Sequence, residues 1–110
     1  MPLNFDINGT LADMLGAVKT TVKDNWNEVK DPASQFLQNR KERLQLLTEL
    51  RLSGDISNKK FLSRLEDEKL VLEAELNAIA VITKAIAQRA ANAAIDVLQG
   101  AVKKVIDGVL

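Results

Sequence analysis

Hydrophobic positions recur every three or four residues along most of the chain, which is the spacing of the buried face of an α-helix. One such stripe predicts a first helix over residues 10–30, with Thr10 as its N-cap and Asp13 completing an acidic variant of the capping box. The stripe consists of Leu11, Leu15, Val18, Val22, Trp26 and Val29. Residues 1–9 instead alternate apolar and polar positions, and we expect an extended arm that packs on the helices.

A second helix is predicted over residues 32–53. Asp31 and Pro32 mark its start, because proline disfavours helical geometry at the preceding residue and fits the first turn of a new helix. Its apolar positions are concentrated towards its end, so packing should be tightest beside the following turn.

That turn has the most specific local sequence in the chain. Gly54 suits the left-handed position that ends a helix, and Ser57 suits the N-cap of the next one. Ile56, just before the cap, and Phe61, at the fourth helical position, match a hydrophobic staple. These residues predict a tight helical hairpin.

The hairpin also carries a family resemblance. The residues concerned are Leu44, Leu47, Leu50, Gly54, Ile56, Ser57, Phe61 and Arg64. Residues 44–64 resemble the short helical hairpin called the SHOCT domain, with its leucine repeat, its Gly-x-Ile-Ser/Thr turn and its phenylalanine. The resemblance implies an oligomerisation or docking module. The alternative is that any capped helical hairpin converges on this pattern.

A single long helix is predicted over residues 57–108. Residues 55–99, forty-five in all, contain neither glycine nor proline. At ~1.5 Å per residue such a helix would span roughly 70 Å, much longer than a compact domain of this size. We therefore expect an elongated, coiled-coil-like rod that is shared between subunits.

The second half of this segment is unusually apolar, with twenty-two apolar residues among the thirty-five of residues 76–110. Such a wide apolar face indicates burial against several helices at once. We expect it to be the surface of self-association. The predicted contact residues are Leu76, Ile79, Ile82, Ile86, Ile95, Leu98, Val102, Val105 and Ile106.

The apolar half is also compatible with contact to lipid or to a different protein. Residues 85–110 could lie on or insert into a membrane as an amphipathic helix, with a narrow polar seam facing inward. The surface could instead belong to a different protein of a larger assembly, such as a virion, a tail or a secretion apparatus.

Charge is balanced over the chain but not along it. Fifteen basic and fifteen acidic residues cancel, yet residues 40–64 hold seven basic and three acidic residues, and residues 66–75 hold five acidic residues and one lysine. Both stretches could be solvated faces, or the basic stretch of one subunit could meet the acidic stretch of a neighbour. Spacing along the helix predicts the ion pairs Arg64–Glu68 and Lys69–Glu73.

Composition argues against catalysis. Histidine, cysteine and tyrosine are absent, which removes the usual general base near neutral pH, the thiolate nucleophile and the soft metal ligands. We expect no enzyme activity, cofactor, metal or small-molecule substrate. Nucleic acid is not an expected partner either, since the net charge is zero and no aromatic residues interleave with the basic ones.

Localisation is constrained only by what the sequence lacks. It shows no signal peptide and no uncharged apolar stretch of ~20 residues, so we expect the cytoplasm or the interior of a larger assembly. Taken together, the sequence predicts one all-α domain over residues 1–110, acting as a non-catalytic structural protein that self-associates through its C-terminal helix. The alternative function is a membrane-active amphipathic helical protein.

Overall fold

The structure, a computed structural model, describes residues 5–108, and all regular secondary structure in that range is helical. The elements are α1 (Ile7–Val22), a short 3₁₀ turn (Lys23–Asn25), α2 (Trp26–Leu52), α3 (Asn58–Asn77) and α4 (Lys84–Gly108). The all-α prediction is therefore confirmed.

The four helices pack in a ring. α1 contacts α2 and α4, and α3 contacts the same two helices, whereas α1 and α3 do not touch each other within residues 5–108. The principal dimensions are 43 × 23 × 21 Å and the radius of gyration is 14.0 Å, close to the ~13 Å of a compact domain. The expected rod of roughly 70 Å is therefore wrong for the single chain.

The long helix predicted over residues 57–108 is interrupted, and this is why the rod shortens. α3 ends at Asn77, and a turn closed by a 2.9 Å hydrogen bond from the Ile82 amide to the Ile79 carbonyl reverses the chain before α4. No glycine or proline produces this break. The physical reason is burial: by folding back, α4 removes its apolar side from water against α1 and α3, and Ile82 in the connection is itself buried.

The first helix begins earlier than predicted. Its N-cap is Asp6, whose carboxylate accepts a 2.9 Å hydrogen bond from the Gly9 amide, so the prediction of Thr10 as N-cap is wrong. Thr10 is buried inside α1, where its hydroxyl donates to the Asp6 carbonyl. The earlier start allows Ile7 to join the core. Residues 1–4 of the expected arm lie outside the described residues.

The boundary between the first two helices also lies elsewhere. The chain turns at Lys23, which has a φ of 52°, and α2 then continues without interruption through Pro32. The proline is tolerated because it is exposed, while Val29, Ala33 and Leu37 form an uninterrupted buried stripe on the other side. The packing of that stripe stabilises the helix by more than the helix loses through the one hydrogen bond that proline cannot donate.

Candidate functional site

Residues predicted as contacts between subunits lie largely inside the chain's own core. Leu76, Ile82, Ile95, Leu98 and Val102 are buried, and the remaining four, Ile79, Ile86, Val105 and Ile106, are half-buried. They share their environment with the alanines of α4 that face α1 and α3. In the single chain, all of these residues pack in or against the chain's own core except Val105, which lines a groove beside α1.

The hairpin turn between α2 and α3 has the predicted local chemistry. Gly54 adopts a φ of 84°, the Asp55 amide donates to the Leu50 carbonyl at 2.9 Å, and the Gly54 amide donates to the Arg51 carbonyl at 3.2 Å. This pair of bonds is a Schellman motif. The Ser57 hydroxyl then accepts from the Lys60 amide at 3.1 Å and caps α3.

The apolar residues of the SHOCT-like segment pack around that turn. Leu44, Leu47 and Phe61 are buried, Ile56 is half-buried against the core, and Leu50 is half-buried. The segment therefore has its own apolar contacts between α2 and α3.

A buried carboxylate ties α2 to α3. Glu68 is 3% exposed and accepts three hydrogen bonds: two from Arg40, through Nε at 2.9 Å and Nη2 at 2.8 Å, and one from Arg43 Nε at 2.8 Å. These hydrogen bonds raise the pKa of the Arg40 guanidinium, so it stays charged at neutral pH. The charges of the two arginines compensate the buried negative charge of Glu68.

The predicted pairing of these charges along α3 is wrong. Glu68 pairs across to α2 rather than with Arg64, and Lys69 pairs with Glu66 at 2.6 Å rather than with Glu73. Spacing along one helix could not reveal a partner on another helix. The available signal was the position of Glu68, which falls on the same helical stripe as the apolar residues Phe61, Leu65 and Leu72 and is therefore buried with them.

A second apolar face of α3 points away from the core. Leu70 is 53% exposed and Val71 is 40% exposed, and the face continues through Ala74 and Ala78 to Val81, which is 46% exposed. At 100° per residue Leu70 and Ala74 lie opposite the buried positions of α3, Val71 lies at the side of the helix, and Ala78 and Val81 follow in the connection after α3 ends at Asn77. We call Leu70, Val71, Ala74, Ala78 and Val81 the α3 surface. It was not predicted from the sequence, although the apolar residues at positions 70, 74 and 78 are spaced by one helical turn.

A groove of about 750 Å³ separates the first half of α1 from the second half of α4. Asp6, Asp13 and Asp96 line it together with Lys104 and Gly100. The Asp6 carboxylate already serves as the helix cap. No cluster of three or more carboxylates that could hold a metal ion occurs among the described residues.

Comparisons with known proteins add no family. No protein-family model matches the chain, and neither a curated protein nor a solved structure matches it. Among residues 5–108, none of the helices combines the length and the apolarity required to cross a bilayer. Function must therefore be argued from the surfaces themselves.

Proposed function

We propose that this protein is a non-catalytic helical building block that associates with other copies of itself through the α3 surface. The observation that supports this is the placement of exposed apolar side chains. Three of the four large hydrophobic residues that stay exposed among the described residues, Leu70, Val71 and Val81, lie within a single stretch of twelve positions. Clustered exposed apolar residues mark interaction sites more often than scattered ones do.

The distribution of charge along α3 favours a second copy as the partner. Lys59, Lys60 and Arg64 lie near its start, and the acidic residues Glu66, Asp67, Glu73 and Glu75 follow. A two-fold axis through the middle of Asn58–Asn77 would set Lys60 of one copy opposite Glu75 of the other. Arg64 would then lie within one helical turn of Asp67 and Glu75. The same axis lays residues 70–74 of one copy over residues 61–65 of the other, so the pairing of charges is self-complementary and the α3 surface lies beside the axis rather than on it.

The chemistry of the chain supports a non-catalytic role. Its charged side chains are lysine, arginine, aspartate and glutamate alone, with no histidine, cysteine or tyrosine beside them. The most buried of the carboxylates, that of Glu68, is held in an ion-pair network between two helices. The resemblance of residues 44–64 to a SHOCT hairpin fits an oligomerisation or docking role.

Membrane binding through residues 85–110 would need a different arrangement. Ala87, Ala90, Ala91 and Ala94 of this segment are buried in the bundle, so α4 would have to leave the bundle before its apolar side met lipid. Residues 109 and 110 lie outside the described residues. We therefore treat lipid binding as an outcome to be measured beside self-association.

The experiment compares two matched substitutions. Leu70→Glu changes the α3 surface, and Leu46→Glu changes an equally exposed leucine on α2, 55% against 53%. Both positions have glutamates four residues before and three residues after, so the added charge meets the same local sequence. Mass is measured by light scattering over a concentration series, with and without anionic liposomes.

We expect the wild-type chain to dimerise, Leu70→Glu to raise the dissociation constant at least tenfold, and Leu46→Glu to leave it nearly unchanged. An equal loss in both variants would contradict the assignment of the surface. A wild-type chain that stays monomeric at every concentration would contradict self-association, and transfer of that monomer to liposomes would favour the membrane alternative.

A further inference from the structure

The connection between α3 and α4 is weakly specified as a turn. Ala78–Thr83 contains neither glycine nor proline, and none occurs anywhere in residues 55–99. Three local hydrogen bonds mark the reversal: the Ile79 amide to the Leu76 carbonyl at 3.1 Å, the Ile82 amide to the Ile79 carbonyl at 2.9 Å, and the Ile86 amide to the Thr83 hydroxyl at 3.2 Å. A continuous helix through these residues is therefore sterically allowed.

The contacts of α4 are of a kind that another chain could make. α4 packs on α1 and α3, and its buried positions are mainly alanines with Ile95, Leu98 and Val102. None of the described ion pairs joins α4 to the rest of the chain. Ala78–Thr83 is the covalent connection between α4 and the rest of the bundle. The same contacts can therefore form with the α4 of a second copy.

We infer that two copies of this chain exchange α4. In each exchanged chain, residues 58–108 form one helix of roughly 75 Å, and its second half packs against α1 and α3 of the other copy. The long helix that the sequence predicts thus exists in the dimer, while the closed monomer has two helices. This goes beyond the proposed association through the α3 surface, because Leu70 and Val71 take no part in the exchanged contacts.

The balance between the closed and exchanged forms depends on the connection, since the contacts of α4 with α1 and α3 are the same in both. Ile82, which is buried in the closed connection, changes its surroundings when the connection becomes helical. Exchange loses the turn at Ile79–Ile82 and the Thr83 cap. It gains helical hydrogen bonds through the connection. It also brings the two connections together at the dimer axis, where the exposed Val81 of each copy can be covered.

The test uses the absence of cysteine from the chain. Asp13 on α1 and Asp96 on α4 are exposed and line the same groove, so Asp13→Cys with Asp96→Cys provides the only two thiols. The protein is refolded from denaturant at about 1 mM, and the dimer is isolated and treated with a flexible bismaleimide. A denaturing gel then reports whether the link lies within one chain or between two. The two single-cysteine variants are the controls.

Variants of the connection shift the balance in opposite directions. Ala80 is the second residue of the turn closed by Ile79 and Ile82, a position that proline favours, so Ala80→Pro should fit the closed form and prevent the continuous helix. Thr83→Ala raises helix propensity and removes the α4 cap, and it leaves Val81 in place. We expect the first variant to reduce the exchanged dimer at least tenfold and the second to increase it.

Links between chains in the isolated dimer, lost in Ala80→Pro, would support exchange. A dimer linked only within chains would overturn exchange while leaving association through the α3 surface intact. A chain that remains monomeric after refolding at high concentration would overturn exchange and the proposed function together. Equal dimer yields from Ala80→Pro and the wild-type chain would also overturn exchange.

Discussion

Arg40 on α2 binds Glu68 on α3 through two parallel hydrogen bonds, from Nε to Oε1 at 2.9 Å and from Nη2 to Oε2 at 2.8 Å. This bidentate geometry fixes the relative position of the two guanidinium nitrogens and both carboxylate oxygens, which a single contact would not. Arg40 also lies 5.8 Å from the ring of Phe36. The pair therefore sets the register between the two helices of the hairpin.

Replacing Arg40 with alanine should destabilise the fold by about 2–3 kcal/mol. Removing one partner of a buried pair typically costs ~3–5 kcal/mol, and the hydrogen bond that Arg43 retains to Glu68 lessens the loss. Urea unfolding followed by circular dichroism measures it. Arg89→Ala, at an exposed position on α4, should change stability by less than about 0.5 kcal/mol. Similar losses in both variants would mean that the pair has no special role.

The pH dependence of this ion pair follows from the direction of the Arg40 shift. A pKa that is higher in the folded state contributes stability below the unfolded pKa and loses it as pH rises through the folded value. The contribution of Arg40 should therefore be constant across neutral pH. It should fall only in strongly alkaline solution, and a change in the Arg40→Ala difference between pH 7 and 9 would contradict this.

Thr48 is the clearest site for stabilising the protein. Its side chain is fully buried on α2, and its hydroxyl has no hydrogen-bond partner among the described residues. An unsatisfied buried hydroxyl costs about 1–3 kcal/mol. Thr48→Val keeps the shape and removes the polar atom, so we expect a gain of about 1 kcal/mol, or roughly 4 °C in Tm by calorimetry.

The same substitution at Thr10 is the matched control for Thr48. Thr10 is also buried, but its hydroxyl donates to the Asp6 carbonyl at 2.8 Å. Thr10→Val should therefore lose about 1 kcal/mol. If both valine variants were stabilised alike, the gain would come from added apolar surface and not from the unsatisfied hydroxyl.

Lys23 carries backbone strain that glycine would relieve. Its φ of 52° with a ψ of −111° is a conformation that residues with a Cβ rarely adopt, and it costs on the order of 1–3 kcal/mol. Glycine also makes the unfolded chain more flexible, which offsets part of this relief. The net effect of Lys23→Gly should be an increase of about 0.5–1 kcal/mol in the free energy of unfolding. Thermal unfolding measures the change. Lys30→Gly, an exposed position within α2, should lose about 1 kcal/mol, and a loss at both positions would show that Lys23 is unstrained.

The features that could be predicted from the sequence are those that depend on neighbouring residues. Gly54 and Ser57 define the hairpin turn by their own backbone and hydrogen-bonding preferences, and both take the predicted roles. The helical class follows in the same way from apolar spacing. Such features need no knowledge of distant residues.

The features that were missed depend on distant packing. The break at Ala78–Thr83 has no local signal, because it exists to bury α4 against α1 and α3. The helix through Pro32 persists because Val29, Ala33 and Leu37 share one buried stripe. Glu68 pairs with Arg40 and Arg43, twenty-eight and twenty-five residues away. In each case tertiary burial outweighs a local preference of a few kcal/mol or less.

Charge reversal tests the antiparallel pairing of α3 between two copies. The two-fold arrangement sets Lys60 opposite Glu75, so Lys60→Glu should weaken dimerisation by placing two glutamates together. Lys60→Glu combined with Glu75→Lys should restore the wild-type dissociation constant to within about threefold, because the opposite charges meet again. Sedimentation equilibrium at low and high salt measures both, and the single variant should recover partly at high salt through screening. Lys30→Glu on α2 provides a variant of the same charge away from the α3 surface. A double variant as weak as the single one would contradict this pairing, even if Leu70 lies in the interface.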